Sequence, residues 1–415
     1  MFFEQSVESS SNCGRVRSST LKGVVRAWVG LATLILCTAC DGDQIILGSK
    51  SLLDACPAVS VPVQPAGSIG AIVDRVIAQE VKTKGLPGMA VAIAKDGAVL
   101  YSQGYGYSDL KSCVRTHADT PYAIGSVTKQ FTAAAMLQLQ AAGSVDLDKP
   151  VAAYLPAYRF DPRITLRMLL NQTAGLADYL ELPKPADWLK GVSKHYVLDV
   201  IVKTPLHFAP GSAYEYSNSN YFVLGAVIES VAAVPYADYL AIHVLQPANL
   251  TQTNYQRPLS SALPYSYEHP AVPGAKGLAV GLAPDSSVYF SAGALWSTVT
   301  DLARWNAALR KGGIVPTSQL AAMTTPPKGI PYAQDPALPS DYAMGLTSAT
   351  LLGRPFVWHN GQPLAYSSFN GQFLDNGFSI SIVTNVDVQE DIPLIDVASA
   401  LIQGICTSSS TAGSC

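Results

Sequence analysis

The sequence predicts an α/β fold of the α+β type: an antiparallel sheet built from both chain ends, flanked by helices, with a mostly helical subdomain inserted between. Three observations carry this. Helical periodicity followed at once by a hairpin pattern opens the compact part of the chain near residue 69. Helical patterns then dominate from about residue 139 to residue 285. Strand patterns return only from residue 356, so the two strand-forming stretches must meet in space to complete one sheet.

The elements follow in order. Apolar residues at Ile72, Val73, Val76, Ile77 and Val81 give 69–84 the spacing of one helix face. Residues 89–94 and 98–105 are strand-like and joined by Lys95-Asp96-Gly97, and Asp-Gly supplies the positive φ values that a tight hairpin needs. In the insert, 166–171, 221–231 and 236–244 read as helices between Pro and Gly loops, and 264–284 as an irregular surface excursion. A helix over 297–311 ends at Gly312-Gly313. Strands are expected at 356–358, 367–374 and 378–384, and a helix over 392–405 closes the domain. No internal repeat is found.

Length alone would suggest two or three domains for 415 residues, yet no linker-like break occurs between residues 68 and 405. One domain over 68–405 with its insert at 139–285 is the simpler reading. A net charge of −3 and a charged fraction of 14% argue against a nucleic-acid surface, which would show clustered Lys and Arg. Small molecules, short peptides or esters are the expected partners.

Residues 1–40 read as an export leader. Arg15, Arg17, Lys22 and Arg26 precede an apolar run over 27–39, which is shorter than the roughly 20 residues of a bilayer-spanning helix but suits a signal-peptide core. The run ends at Leu36-Cys37-Thr38-Ala39-Cys40, which resembles a bacterial lipoprotein box with Cys40 as the lipidated residue. An ordinary cleaved leader and an uncleaved anchor are the alternatives. All three place the domain at the periplasmic or extracellular face, and a lipid on Cys40 would attach it to a membrane. Residues 41–67, with Pro57, Pro62 and Pro65, read as a tether and 406–415 as a tail. Cys56, Cys113, Cys406 and Cys415 remain for disulfides in an oxidising compartment, with three pairings open, and Cys406 and Cys415 bracket a tail that ties easily to the domain end. The Cys37-x-x-Cys40 spacing of a redox or zinc motif falls inside the leader and is set aside.

Chemistry concentrates in three short motifs. Ser-x-x-Lys occurs at Ser19/Lys22, Ser108/Lys111 and Ser126/Lys129, of which the first lies in the leader and the second in a loop. Only Ser126 follows a glycine and opens an apolar helical run, so that Ser126 and Lys129 share one helix face. There the helix amino terminus favours a developing alkoxide, and desolvation would lower the Lys129 pKa enough to accept the serine proton. Without further support such a pair reads as a helix cap followed by an exposed lysine.

Tyr216-Ser217-Asn218 is the single Tyr-x-Asn in the chain. Tyr216 near Lys129 can carry a second proton, as base for acylation or acid to the leaving group, and Asn218 can hold the lysine and a substrate carbonyl. The plain alternative is a structural tyrosine with Asn218 or Asn220 capping the next helix. His359-Asn360-Gly361 follows a β-like run and is placed to lie on a sheet edge, where Gly361 would admit substrate to the backbone. The N–H of Gln362 would then stand beside that of Ser126 as the second oxyanion donor. A surface histidine in an Asn-Gly turn is the alternative for His359. Gly-x-Ser-x-Gly is absent, which argues against the α/β-hydrolase plan.

These three motifs, in this order, resemble the serine β-lactamases and penicillin-recognising DD-peptidases. Tyr-x-Asn in the second slot is similar to the class C branch, with its DD-carboxypeptidase and esterase relatives. Supporting segments are 169–176, 210–225, Ser291-Ala292-Gly293 and Asp301-Leu302-Ala303, and the likeness covers residues 69–405. The resemblance implies a β-lactamase/transpeptidase-like fold and an acyl-enzyme at Ser126. It also implies Lys129 as general base, Tyr216 as second proton carrier and Asn218 as substrate-positioning residue, without metal or cofactor. His359 stands where β-lactamases have lysine, which is similar to the carboxypeptidases, aminopeptidases and esterases of the branch. Asn360 and Gln362 occupy the places where its DD-carboxypeptidases carry hydroxyls. That departure weakens the case for a terminal D-alanine; from the resemblance as a whole a D-alanyl-D-alanine carboxypeptidase-like peptidase is expected, with an esterase or a class C-like β-lactamase as alternative and a non-hydrolysing β-lactam sensor as the rival of another class.

Overall fold

A computed structural model describes residues 56–57, 63–84, 86–256, 267–268, 279–281, 284–330, 340–387, 394–408 and 410–415. The leader with Cys40, most of the tether and most of the 264–284 excursion lie outside these residues. Among the described residues no single helix is long and apolar enough to cross a membrane.

The chain opens with α1 (Ile69–Lys84), β1 (Gly88–Lys95) and β2 (Ala98–Asp109), followed by the short strands β3 (Val114–Arg115) and β4 (Tyr122–Ala123). α2 (Thr128–Ala141) leads into the insert, which holds α3 (Leu166–Leu170), α4 (Lys194–Lys203), α5 (Asn218–Ala232) and α6 (Tyr236–Leu240), the last running on as a π turn over Ala241–Leu245. Next come β5 (Tyr267–Glu268), β6 (Ala279–Val280), α7 (Ser286–Gly293), β7 (Trp296–Ser297), α8 (Val299–Arg310) and α9 (Thr317–Thr324). The last part is β8 (Ser340–Tyr342), β9 (Thr347–Leu351), β10 (Arg354–Gly361), β11 (Ser367–Phe373), β12 (Phe378–Thr384) and α10 (Leu394–Thr407).

Eight of these strands form one sheet in the order β3-β2-β1-β12-β11-β10-β9-β8. The seam between the chain ends is the antiparallel β1–β12 pair, running from Met89 opposite Thr384 to Lys95 opposite Phe378. Side-chain alternation along β1 shows why both faces are covered. Met89, Val91 and Ile93 join Ile380 and Ile382 of β12 under α1 and α10. The small Ala90 and Ala92 face the other core, shared by α2, α5 and α8.

In that second core α2 is buried almost all round, as expected of a helix with no solvent face. Phe131 stacks on Trp305 of α8 at 4.0 Å between ring centroids, both fully buried. Truncating either to alanine should cost about 3–5 kcal/mol. This packing seats the amino terminus of α2 against the sheet edge at β10. Two disulfides, Cys56–Cys113 and Cys406–Cys415, settle the open pairing and tie each end of the described chain to the domain.

Several elements depart from the sequence reading. α8 starts at Val299, not 297, because Trp296-Ser297 pair with Tyr122-Ala123 and Thr298 Oγ1 caps the helix by accepting the Asp301 N–H. β8 and β9 were not expected: the β9–β10 hairpin turns on Leu352-Gly353, whose positive φ values are adopted without the usual Asn or Asp. α4 was missed because Val197, Val200, Ile201 and Val202 give it a strand-like composition.

Candidate active site

Ser126 lies in a 3-10 turn, Gly125–Val127, that runs directly into α2. The expected α-helical start is thus tighter by one turn. In 3-10 geometry residues i and i+3 nearly eclipse, which sets the Ser126 hydroxyl over the Lys129 ammonium at 2.9 Å. Lys129 is fully buried.

Three acceptors surround its Nζ: Ser126 Oγ at 2.9 Å, Asn218 Oδ1 at 2.7 Å and the Ala292 carbonyl at 2.8 Å. An ammonium would donate to all three. A neutral amine would give its two protons to the two fixed acceptors and aim its lone pair at Ser126. Burial favours the neutral form and brings the Lys129 pKa down to about 7, against the opposing pull of the Asp178 carboxylate.

Tyr216 and Asn218 converge on the same point. The Tyr216 hydroxyl donates to Ser126 Oγ at 2.7 Å, and its ring centroid lies 4.9 Å from Lys129 Nζ. Neither Asn218 nor Asn220 caps α5. Ser217 does so, its Oγ accepting the Ser219 N–H, and this leaves the Asn218 side chain available to Lys129.

β10 brings the third motif. Its ladder with β11 continues to Gly361, opposite Ser368, whereas its ladder with β9 stops at Trp358. Among the described residues His359, Asn360 and Gly361 therefore have a partner strand on one side only, which gives the local sheet edge the sequence reading expects. The space where a Gly361 side chain would stand is filled by the Ile124 carbonyl at 2.0 Å and Ser368 Oγ at 2.5 Å. The close approach that Gly361 permits is thus between strand and nucleophile turn, not of a bound molecule on that side. Gly125, at φ +49°, serves the same contact: a Cβ there would fall 3.0 Å from the Gln362 nitrogen and 2.4 Å from Pro363 Cδ. The backbone nitrogen of Gln362 consequently stands beside the Ser126 turn.

His359 is not a surface residue; it is 3% exposed. Its Nδ1–H donates to the Asn360 carbonyl and its Nε2 accepts from the Tyr342 hydroxyl at 3.1 Å. Burial, with the Lys129 charge as second cause, lowers its pKa to about 3, so the imidazole is neutral. It therefore does not supply the positive charge that a lysine would.

Sequence reasoning missed Asp178 and Tyr342, and it placed Ala292 in a supporting segment without a role of its own. Asp178 accepts both the backbone N–H of Asn218, at 3.1 Å, and its Nδ2–H, at 2.7 Å. Tyr342 holds His359 and packs edge-on against Tyr216. Ala292 accepts from Lys129 Nζ through its carbonyl, two residues after Phe290, whose φ 42° and ψ −132° inside α7 are a strained geometry that costs about 1–3 kcal/mol. The first two sit outside any catalytic motif, and the third acts through its backbone, so residue type carried no signal. Among the described residues no group of three or more His, Cys, Asp or Glu is placed to hold a metal.

This arrangement can take a proton from Ser126 to Lys129 and return one from Tyr216 or Lys129 to a leaving group. The Beta-lactamase family model matches residues 73–401. Protein flp of Staphylococcus aureus (strain N315) is 32% identical over 190 residues, 45% of this chain and 38% of the relative. The putative penicillin-binding protein PbpX of Bacillus subtilis is 28% identical over 259 residues, 62% of this chain and 63% of the relative. The matches thus span well under two thirds of the length of flp and just under two thirds of PbpX. The crystal structure of a D-stereospecific amidohydrolase from Streptomyces superposes with a TM-score of 0.69 at 27% identity, over 82% of this chain and 99% of that one.

Proposed function

The chain belongs to the Beta-lactamase family and is a serine hydrolase, and from that premise we propose that it forms an acyl-enzyme at Ser126 and releases the acyl group to water. One observation carries the reading: a fully buried lysine and a tyrosine hydroxyl both lie within 3 Å of the same serine oxygen, at 2.9 and 2.7 Å. Neutral Lys129 takes the Ser126 proton as Oγ attacks the substrate carbonyl. The N–H groups of Ser126 and Gln362 receive the oxyanion, and Tyr216 hands a proton to the leaving group. In the second half, water enters where the leaving group departed and gives its proton to Tyr216 as it attacks the acyl carbon, while Lys129 returns its proton to Ser126 Oγ as the acyl–oxygen bond breaks. Asn218 keeps Lys129 aimed and meets the substrate amide.

Short peptides ending in D-residues, of the D-alanyl-D-alanine type, are the first substrates to test, and the D-stereospecific amidohydrolase likeness supports that choice. A second reading, hydrolysis of uncharged amides or esters, is favoured by the neutral His359, which leaves a terminal carboxylate without a cation there. Export to an oxidising compartment is supported by the two disulfides. Comparing turnover of a D-alanyl-D-alanine peptide, its C-terminal amide, p-nitrophenyl butyrate and fluorescent penicillin decides between these. Peptidase action requires the free-acid peptide to outrun the amide; the reverse order selects the second reading, and a stable penicillin adduct without turnover selects a sensor. Ser126→Ala should abolish every activity, and His359→Lys should move preference toward the free acid.

A further inference from the structure

We propose that Asp178, acting through the side-chain amide of Asn218, is the positioning residue that holds Lys129 in register with Ser126 and sets the pH at which the site works. The inference rests on Lys129 being the base. An amide has a donor end and an acceptor end, and nothing in Asn218 itself decides which faces the lysine. Asp178 decides it. Its Oδ2 accepts Asn218 Nδ2–H at 2.7 Å and the Asn218 backbone N–H at 3.1 Å, so the amide oxygen must point the other way, to Lys129 Nζ at 2.7 Å. Oδ1 of Asp178 accepts the Leu180 N–H at 2.9 Å, which holds the carboxylate in turn.

The groups facing Lys129 come from every element around it: Ser126 from the nucleophile turn, Tyr216 and Tyr221 with Asn218 from α5 and its approach, the Ala292 carbonyl from α7, and His359 from β10. Burial drives the Tyr221 phenol far up and His359 down to about 3, so both are neutral near pH 7. Asp178 is the carboxylate that acts on the lysine, and it favours the ammonium that burial disfavours.

Two variants read this out in the full chain, with p-nitrophenyl butyrate as probe and kcat/KM followed against pH. Asp178→Asn frees the Asn218 amide to present either end. kcat/KM should fall on the order of 100-fold, and its acid limb should move about one pH unit lower because the lysine loses its anion. The exchange Asp178→Asn with Asn218→Asp restores the hydrogen bond but sets the carboxylate directly on Lys129, so the acid limb should move above the wild-type position. A purely structural Asp178 would lower activity without moving the limb. An unmoved limb in Asp178→Asn overturns the proposal; if that variant does not fold, an exchange variant with its limb at or below the wild-type position overturns it. Loss of all turnover in Ser126→Ala alongside an unmoved limb sinks only this inference, whereas turnover surviving in Ser126→Ala sinks the acyl-enzyme reading itself.

Discussion

Replacing Lys129 by methionine should separate activity from stability in a pH-dependent way. Lowering the lysine pKa from 10.5 to about 7 on burial is worth about 5 kcal/mol against the folded state. The sign follows from linkage: a cation whose pKa falls on folding destabilises fully below about pH 7, and the cost fades as pH rises toward 10.5. Methionine fills the same space without that cost but leaves Asn218 Oδ1 and the Ala292 carbonyl without their donor, at about 1–3 kcal/mol each. These terms nearly cancel at pH 7, so the variant should unfold within about 2 kcal/mol of wild type there, while kcat/KM drops by at least about 100- to 10,000-fold. Between pH 7 and 9.5 the wild type should gain about 3 kcal/mol on the variant. Urea unfolding of both proteins at the two pH values measures this. Parallel stability-versus-pH behaviour would refute the idea that Lys129 is desolvated in the folded protein.

Further outcomes follow from the same geometry. Tyr216→Phe removes the hydroxyl that lies 2.7 Å from Ser126 Oγ and should lower kcat about 100- to 10,000-fold with little change in melting temperature. Gly125→Ala drives a Cβ against Pro363 and the Gln362 nitrogen; steady-state kinetics should show kcat reduced on the order of 100-fold as the oxyanion donors separate. Cys56→Ser with Cys113→Ser opens a loop with a sequence separation of 57 and should lower unfolding free energy by about 4 kcal/mol in denaturant titrations.

Much of the fold was legible because its signals are local. The 69–84 helix has its apolar stripe within its own span, and the Asp96-Gly97 hairpin announces its turn type, so the opening helix and the β1–β2 hairpin could be placed. Ser126, Lys129 and Tyr216 were found because their residue types and order are distinctive, and the structure brings all three together. Other features were hidden because partners distant in the chain create them. Asp178 is one carboxylate among many until Asn218 folds onto it 40 residues away. Ser217 caps α5 while the Asn218 side chain meets Lys129, a partner 89 residues away that the local sequence does not show. The burial of His359 depends on Tyr342 in β8, a strand of three residues that leaves almost no periodicity to read.

The most direct measurement is the site of the covalent intermediate. The full chain is quenched in acid during turnover of p-nitrophenyl acetate, digested with trypsin and mapped by mass spectrometry. An acetyl group on Ser126, within the 116–129 peptide and absent when Lys129 is methionine, is the predicted result. A stoichiometric adduct on any other residue, formed at the rate of turnover, would contradict the account.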